Sequence, residues 1–393
     1  MLTVSRFCVG PSCIVGCLLA ASVACMSGPS AQAQVSPAKL YNTVNRPAMV
    51  SIARPTSGPS EGAATLQLLD PATGILIVSA SVELPPAASG TGAKPFDLAL
   101  VFGPEWWSKL ARSPAYLQLF IGDTPVGPAT FIQPMNSPAR ASLDARSPRL
   151  PLVVFPASKQ PSPKVYTGVR LYSDKLVEIV TEFGSMTFAL RPDLAPNTAW
   201  NFRHLAEGGF FDSSAFHRVV AAGSVAGRGF VVQGGDPSDA EPFDGGPGYG
   251  IQMEPTDLKH DYGVLSMARD TDPDTAGSQF FICLTREETA RLDGQYAAFG
   301  QLLATPGSLI GTAKPSADGP DASDDLSGVA VLQRIASTLL KPTVAPVGAP
   351  GATSPPSDRP INPPKVQTIR LVDAPPRPLM PPVATLGKPG ADR

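Results

Sequence analysis

Arg218, Gln233 and a group of aromatic and aliphatic side chains crowd two strand-like stretches, residues 216–236 (FHRVVAAGSVAGRGFVVQGGD) and 277–282 (GSQFFI). The arginine is permanently charged and presents a rigid fork of donors. The glutamine adds an amide, and Phe230, Val231 and Phe281 add an apolar floor. Glycines between them let backbones approach closely. No nucleophile–base pair, phosphate loop or metal-ligand cluster accompanies the group. One cation, one amide and an apolar floor can polarise and orient a bond, but they cannot attack it.

Strands must hold these residues, and the surrounding pattern supplies them. Residues 177–190 alternate apolar and polar positions across a turn at Phe183-Gly184, which reads as a hairpin. A helix follows: Pro196 suits its first turn, Ala199, Phe202 and Leu205 share one face, and Gly208-Gly209 stop it. Further strands are expected at 263–268, 279–284 and 366–372, with a helix over 329–339 that places Val331, Leu332, Ile335 and Leu339 on one side.

The 393 residues suffice for two domains with linkers between them. Lys+Arg 31 against Asp+Glu 33 leaves a formal charge of −2, in which nothing suggests an electrostatic surface for nucleic acid or anionic lipid, and no nucleic-acid partner is expected. Proline is the outlier at 45 residues, and because it cannot serve a central strand it points to linkers and edge turns. Residues 1–33 read as an export signal, with one charge at Arg6, an apolar run over 14–23 and a small-x-small site at Ala31-Gln32-Ala33. That run is shorter than the ~20 residues a membrane helix needs, so no stable span is expected after cleavage. Lipidation at Cys25 is the alternative fate of the leader, and the mature protein is expected in the periplasm or outside the cell. Cys283 is the one cysteine beyond the leader and reads as a buried core thiol.

Residues 34–136 show short β-type runs (49–53, 65–69, 75–84, 96–102, 116–121 and 129–133) separated by turn signals, the pattern of a small β-sandwich-like domain. Trp106 is expected in its core. Gly58-Pro59-Ser60-Glu61-Gly62 matches a nucleophile elbow in letters only, since it sits in a Pro/Ser/Gly loop rather than between a strand and a helix. Residues 137–170 read as a Pro/Ser-rich linker and 375–393 as a Pro-rich disordered tail. Between them, 171–374 form the second domain, with 311–326 and 341–364 as loop insertions. Asp270, Asp272 and Asp274 mimic the start of a calcium loop, but Thr275 stands where that loop needs glycine. No metal and no cofactor are expected.

From about residue 176 to 373 the chain resembles the cyclophilin family of peptidyl-prolyl cis–trans isomerases. The resemblance rests on six motifs in family order: FHRV (216–219), GFVVQGGDP (229–237), GGPGY (245–249), GVLSMAR (263–269), DPDTAGSQFFI (272–282) and LDGQYAAFG (292–300). It implies a mainly β fold, an eight-stranded antiparallel closed barrel capped by two helices, and proline-containing polypeptides as substrates. It also implies a catalytic role for Arg218, Phe230 and Gln233, and substrate contacts from Val231, Ala268, Arg269, Phe281, Leu292 and Tyr296. Three departures from the family pattern bear on the site. Arg291 occupies a position that is commonly an aromatic in the family, Tyr296 replaces a histidine, and the eleven residues between Arg218 and Phe230 exceed the usual spacing. A non-catalytic proline-peptide-binding or scaffold module is the competing reading.

Overall fold

The β-type runs of the first half build two sheets around one apolar core. Strands β1 (Val35–Pro37), β2 (Tyr41–Thr43), β3 (Met49–Ile52), β4 (Ala64–Leu69), β5 (Leu76–Val82) and β6 (Lys94–Asp97) come first. Two single-turn helices, α1 (Leu98–Val101) and α2 (Glu105–Ser108), precede β7 (Ala115–Ile121) and β8 (Thr124–Asn136). Then come β9 (Ser142–Asp144), β10 (Leu152–Val154) and β11 (Tyr166–Ser173). These ranges belong to a computed structural model in which residues 35–55, 62–84, 93–136, 142–144, 152–154, 165–220, 229–238, 243–303, 328–341 and 357–378 are described. The export signal with Cys25, most of the elbow-like loop, residues 221–228 and the 311–326 insertion lie outside them.

The strand order is β1-β3-β6 in the smaller of these sheets and β2-β11-β8-β7-β4-β5 in the larger, while β9 and β10 pair with each other as a separate two-stranded ribbon. Val50 and Ile52 from one and Leu66, Leu68, Leu117, Leu119, Val169 and Leu171 from the other share a buried cluster, with Trp106 inside it. Strand period decides which residues enter it, because alternate side chains face opposite sides. Tyr116, Phe131 and Tyr172 therefore point to the other face of the large sheet. Two expectations are corrected here. Residues 98–101 turn helical, since the Asp97 carboxylate caps the Ala99 N–H and ends the strand expected over 96–102. Residues 166–170, read as linker, pair with β8 and β2 instead; Gly168 permits the bulge there, at φ +141 and close against the Asn42 carbonyl.

The second half adds β12 (Lys175–Thr181), β13 (Gly184–Leu190), α3 (Pro196–Glu207), β14 (Arg218–Val219), β15 (Val231–Gly234), β16 (Val264–Met267) and β17 (Phe280–Cys283). It ends with α4 (Arg286–Thr289), β18 (Ala298–Leu302), α5 (Gly328–Ala336) and β19 (Val366–Asp373). Its eight strands form one curled antiparallel sheet in the order β14-β15-β17-β16-β18-β13-β12-β19. An isolated bridge, Ala215↔Lys365, joins the segments leading into the two outermost strands, and Val366 N–H donates to the Ser214 carbonyl across it at 2.9 Å.

Phe188, Phe202, Phe211, Phe280 and Phe299 fill the concave side, where α3 and α5 pack through Ala199, Phe202, Leu205, Val331, Leu332 and Ile335. Helix α3 has no cap of its own at Ala195, and the Glu254 carboxylate accepts the N–H groups of Asn197 and Thr198 in its place. Arg377 departs from the expected disordered tail: it lies just past β19 and is bound to Asp174, Tyr116 and Gln118.

Candidate functional site

Strand pairing places the chemistry in one row. Arg218 on β14 lies opposite Gln233 on β15, Gln233 opposite Phe281 on β17, and Phe281 opposite Ser266 on β16. Residues directly opposite share a face, so this row looks outward. The intervening residues Val219, Val232, Leu265, Phe280 and Ile282 look into the main core. Gly235 ends β15 at φ +88, where an added Cβ would sit 2.5 Å from the Ser278 carbonyl, so β15 and β17 come together only with glycine there.

On the outer face Val231, Phe281 and Leu292 are buried in a cluster separate from the main core, with Phe230, Ala268 and Tyr296 packed against it. All six apolar residues singled out in the sequence are thus brought together. Tyr296 meets Phe281 edge-on at 5.7 Å between ring centroids. Arg269 lies at the rim with its guanidinium over the Tyr296 ring at 4.3 Å, while the Ala268 N–H donates to the Gln279 carbonyl. An open cleft of about 660 Å³ runs on from this cluster, lined by Gln233, Ala268, Arg269 and the 243–250 loop among others.

The polar groups form a single hydrogen-bonded relay. Arg218 donates through Nε to Asp358 Oδ2 at 2.6 Å and through one terminal nitrogen to Gln233 Oε1 at 3.2 Å. Gln233 Nε2 donates to Gln279 Oε1 at 3.0 Å. Gln279 Nε2 in turn donates to Asp236 Oδ2 and to the Phe243 and Gly245 carbonyls. Asp236 is buried and also accepts from Ser238 and Gly245. The Arg218 side chain keeps 40% of its surface exposed, and its second terminal nitrogen has no protein partner among the described residues. One face of a rigidly held guanidinium is left open beside an apolar pocket.

Sequence reasoning missed three members of this assembly. Gln279 and Asp236 stood inside recognised motifs without an assigned role. Asp358 carried no signal, because it meets Arg218 across 140 residues of chain and approaches in a segment whose carbonyl also accepts the Val219 N–H.

Beneath the pocket lies a buried Ser266–His260–Asp293 network. His260 Nδ1 is 3.1 Å from Asp293 Oδ1, and His260 Nε2 is 3.0 Å from Ser266 Oγ. A carboxylate only accepts, so Nδ1 carries the proton and Nε2 accepts the serine hydroxyl. The order is that of a hydrolytic triad, but His260 and Ser266 are fully buried and the Phe281 ring stacks over the imidazole. No substrate reaches the serine; the network supports the pocket floor.

Burial holds His260 below its ordinary value of 6.5 and does the same to His217. The Arg286 guanidinium, hydrogen-bonded to Asp293, keeps that carboxylate well below its ordinary 3.8. Both effects make the folded chain bind fewer protons than the unfolded one. Stability from the neutral imidazoles is complete above about 6.5 and drains as the pH falls from there through the depressed values. A second loss follows below about 4 as the unfolded aspartate protonates. Melting temperatures recorded from pH 8 to 3 are expected to fall in these two stages, with the first shallower in His260→Asn; a flat profile between pH 7 and 5 would refute the account.

The geometry defines a β-sheet protein with a solvent-facing arginine beside an apolar pocket, and comparison with known proteins gives that class a name. Residues 176–308 match the family described as "Cyclophilin type peptidyl-prolyl cis-trans isomerase/CLD". A peptidyl-prolyl cis-trans isomerase of Synechococcus elongatus is 43% identical over 121 residues, covering 31% of this chain and 75% of that protein. The peptidyl-prolyl cis-trans isomerase-like 2 of Cryptococcus neoformans is 38% identical over 173 residues, 42% of this chain, but the match spans only 28% of that relative's length. Among solved structures, a cyclophilin-type isomerase of Cryptosporidium parvum, crystallised in the presence of the dipeptide Ala-Pro, is 26% identical with a TM-score of 0.36, covering 50% of this chain and 98% of its own. The chain belongs to the cyclophilin-type peptidyl-prolyl isomerase family.

Proposed function

We propose that this chain is an exported peptidyl-prolyl cis–trans isomerase that assists the folding of proline-containing polypeptides. The observation that carries the reading is the open side of the Arg218 guanidinium, fixed by Asp358 and Gln233 next to the apolar pocket. A peptide C–N bond owes its rotation barrier of ~18–20 kcal/mol to resonance, and twisting it returns a lone pair to the proline nitrogen. A donor aimed at that nitrogen binds the twisted amide more tightly than the planar one, which is all the reaction requires. In this reading Phe230, Val231, Phe281, Leu292 and Tyr296 grip the proline ring. The Gln233 amide holds a substrate carbonyl through its remaining N–H, and Ala268 and Arg269 form the rim along which the substrate backbone lies. In the same reading the eight-stranded sheet is a closed barrel with β14 and its arginine at the seam, and the Ala215↔Lys365 bridge between the segments entering the outermost strands supports it. Residues 1–33 direct export, so secreted material is expected to begin at Gln34.

Exchange spectroscopy on an Ala-Pro peptide tests the activity: catalytic amounts of the chain are expected to bring cis–trans exchange from tens of seconds into the sub-second range. Binding of the peptide without faster exchange would favour a non-catalytic proline-binding module instead. Asp358 is a positioning residue in this scheme. Asp358→Ala is expected to lower kcat about tenfold with little change in KM, while Asp358→Asn, which keeps an acceptor for Nε, recovers most of it. Equal loss in both variants would argue against the positioning role.

A further inference from the structure

Arg291 follows α4 in a short turn whose next residue, Leu292, is buried in the pocket cluster, so the chain fixes its position at the pocket wall. Its guanidinium lies over the face of Phe230 at 4.5 Å from the ring centroid. The neighbouring arginines are each anchored by hydrogen bonds to the protein. Arg286 grips both oxygens of Asp293. Arg269 donates to the carbonyls of Asp270, Thr271 and Gln295. Arg218 is held by Asp358 and Gln233.

Arg291 differs: its side chain is exposed, and its guanidinium makes no hydrogen bond and no ion pair with any described residue. Glu287 and Glu288, one turn earlier, do not pair with it. Stacking on the ring orients the plane and leaves the N–H edge free, which is the arrangement that receives a carboxylate through two parallel hydrogen bonds.

We infer that Arg291 is a specificity-determining residue that selects substrates carrying an acidic side chain within a few residues of the proline. The inference rests on the isomerase reading for its kinetic form, while peptide affinity reports on it independently. A glutamate seated against Arg291 gains a charge-assisted pair, whereas a lysine at the same place meets a like charge. The partner chemistry is therefore an extended peptide with an Asp or Glu beside the proline.

The experiment uses the full chain and blocked peptides of the form Ala-Ala-Pro-Ala-Ala, with Glu, Gln or Lys placed in turn at each alanine. Exchange spectroscopy gives kcat/KM and NMR titration gives Kd. At one position the Glu peptide is expected to exceed the Lys peptide by about tenfold at low salt, with the ratio shrinking toward one in ~1 M salt. Arg291→Gln removes the preference and Arg291→Glu inverts it, an inversion that a purely packing role does not produce. Ratios within twofold of one at every position, or a ratio unmoved by Arg291→Glu in folded protein, overturn the inference. Should no peptide exchange faster, the isomerase reading fails, and the Kd ratios still decide the role of Arg291.

Discussion

Arg218→Ala is expected to lower kcat/KM for X–Pro exchange by about 10²–10³-fold, the loss typical of deleting one preorganised donor from a site that stabilises developing charge. The relay predicts how the loss divides. Gln233 and Gln279 are tied to Asp236 independently of the arginine, and the pocket side chains pack without it. Ground-state binding of a proline peptide should therefore change little, and the loss should appear in kcat. Arg218→Lys should not recover the activity. A lysine carries its three donors on a single nitrogen, which cannot stand at the separate places from which Nε meets Asp358, one terminal nitrogen meets Gln233 and the other faces outward. The measurement is exchange spectroscopy of wild type and both variants at matched saturation, with circular dichroism to confirm folding. An Arg218→Ala protein as fast as wild type would remove the arginine from the mechanism.

Arg377→Ala is expected to cost about 3 kcal/mol of stability, the low end of the range for deleting one partner of a buried ion pair, because Asp174 is buried while the Arg377 side chain keeps 28% of its surface exposed. Arg377 donates to Asp174 Oδ2 through Nε at 2.8 Å and through a terminal nitrogen at 2.6 Å. It also donates to the Tyr116 hydroxyl at 2.9 Å, lies over the Tyr116 ring, and gives its backbone N–H to Gln118 Oε1. Burial alone would lower the guanidinium's proton affinity, but Asp174 and its other neighbours outweigh that and raise it. Without Arg377 the buried Asp174 carboxylate loses the only ion-pair partner it has among the described residues.

The same contact joins the segment after β19 to β7 and to the β11–β12 junction. It stands beside the stack in which Tyr172 meets Trp200 of α3 and Arg203 lies over both rings. Urea unfolding is the test, with the double variant Asp174→Asn/Arg377→Ala expected to regain part of the loss. A change below 1 kcal/mol would mean that the pair is only superficial. Truncation after Ala374 should cost at least as much.

Much of this was legible before any coordinates. Period-2 alternation marks β4, β12 and β13, whose alternate residues face opposite sides, while β7 and β17, buried along their whole length, show as short apolar runs. Pro196 and Gly208 bracket α3 for equally local reasons. Arg218, Gln233 and Phe281 stand in the motifs that also define the strands, so the residues of the candidate row are readable together with the elements that carry them. Residues 98–101 and 166–170 depart from the sequence expectation because their states depend on partners: a cap from Asp97 ends β6, while Thr43 and Met135 recruit Gly168 into the large sheet.

By itself the sequence determined the local periods, the residue types of the site and the absence of a nucleophile beside Arg218. Only the tertiary structure decided how that arginine is held and which donors stay open. Asp358 and Arg377 are separated from Arg218 and Asp174 by 140 and 203 residues, and no local pattern marks a charge whose partner lies so far along the chain. Arg291 shows the same limit from the other side. Its identity is plain in the sequence, but whether its donors are occupied is settled by what the fold brings within reach, and among the described residues nothing pairs with it.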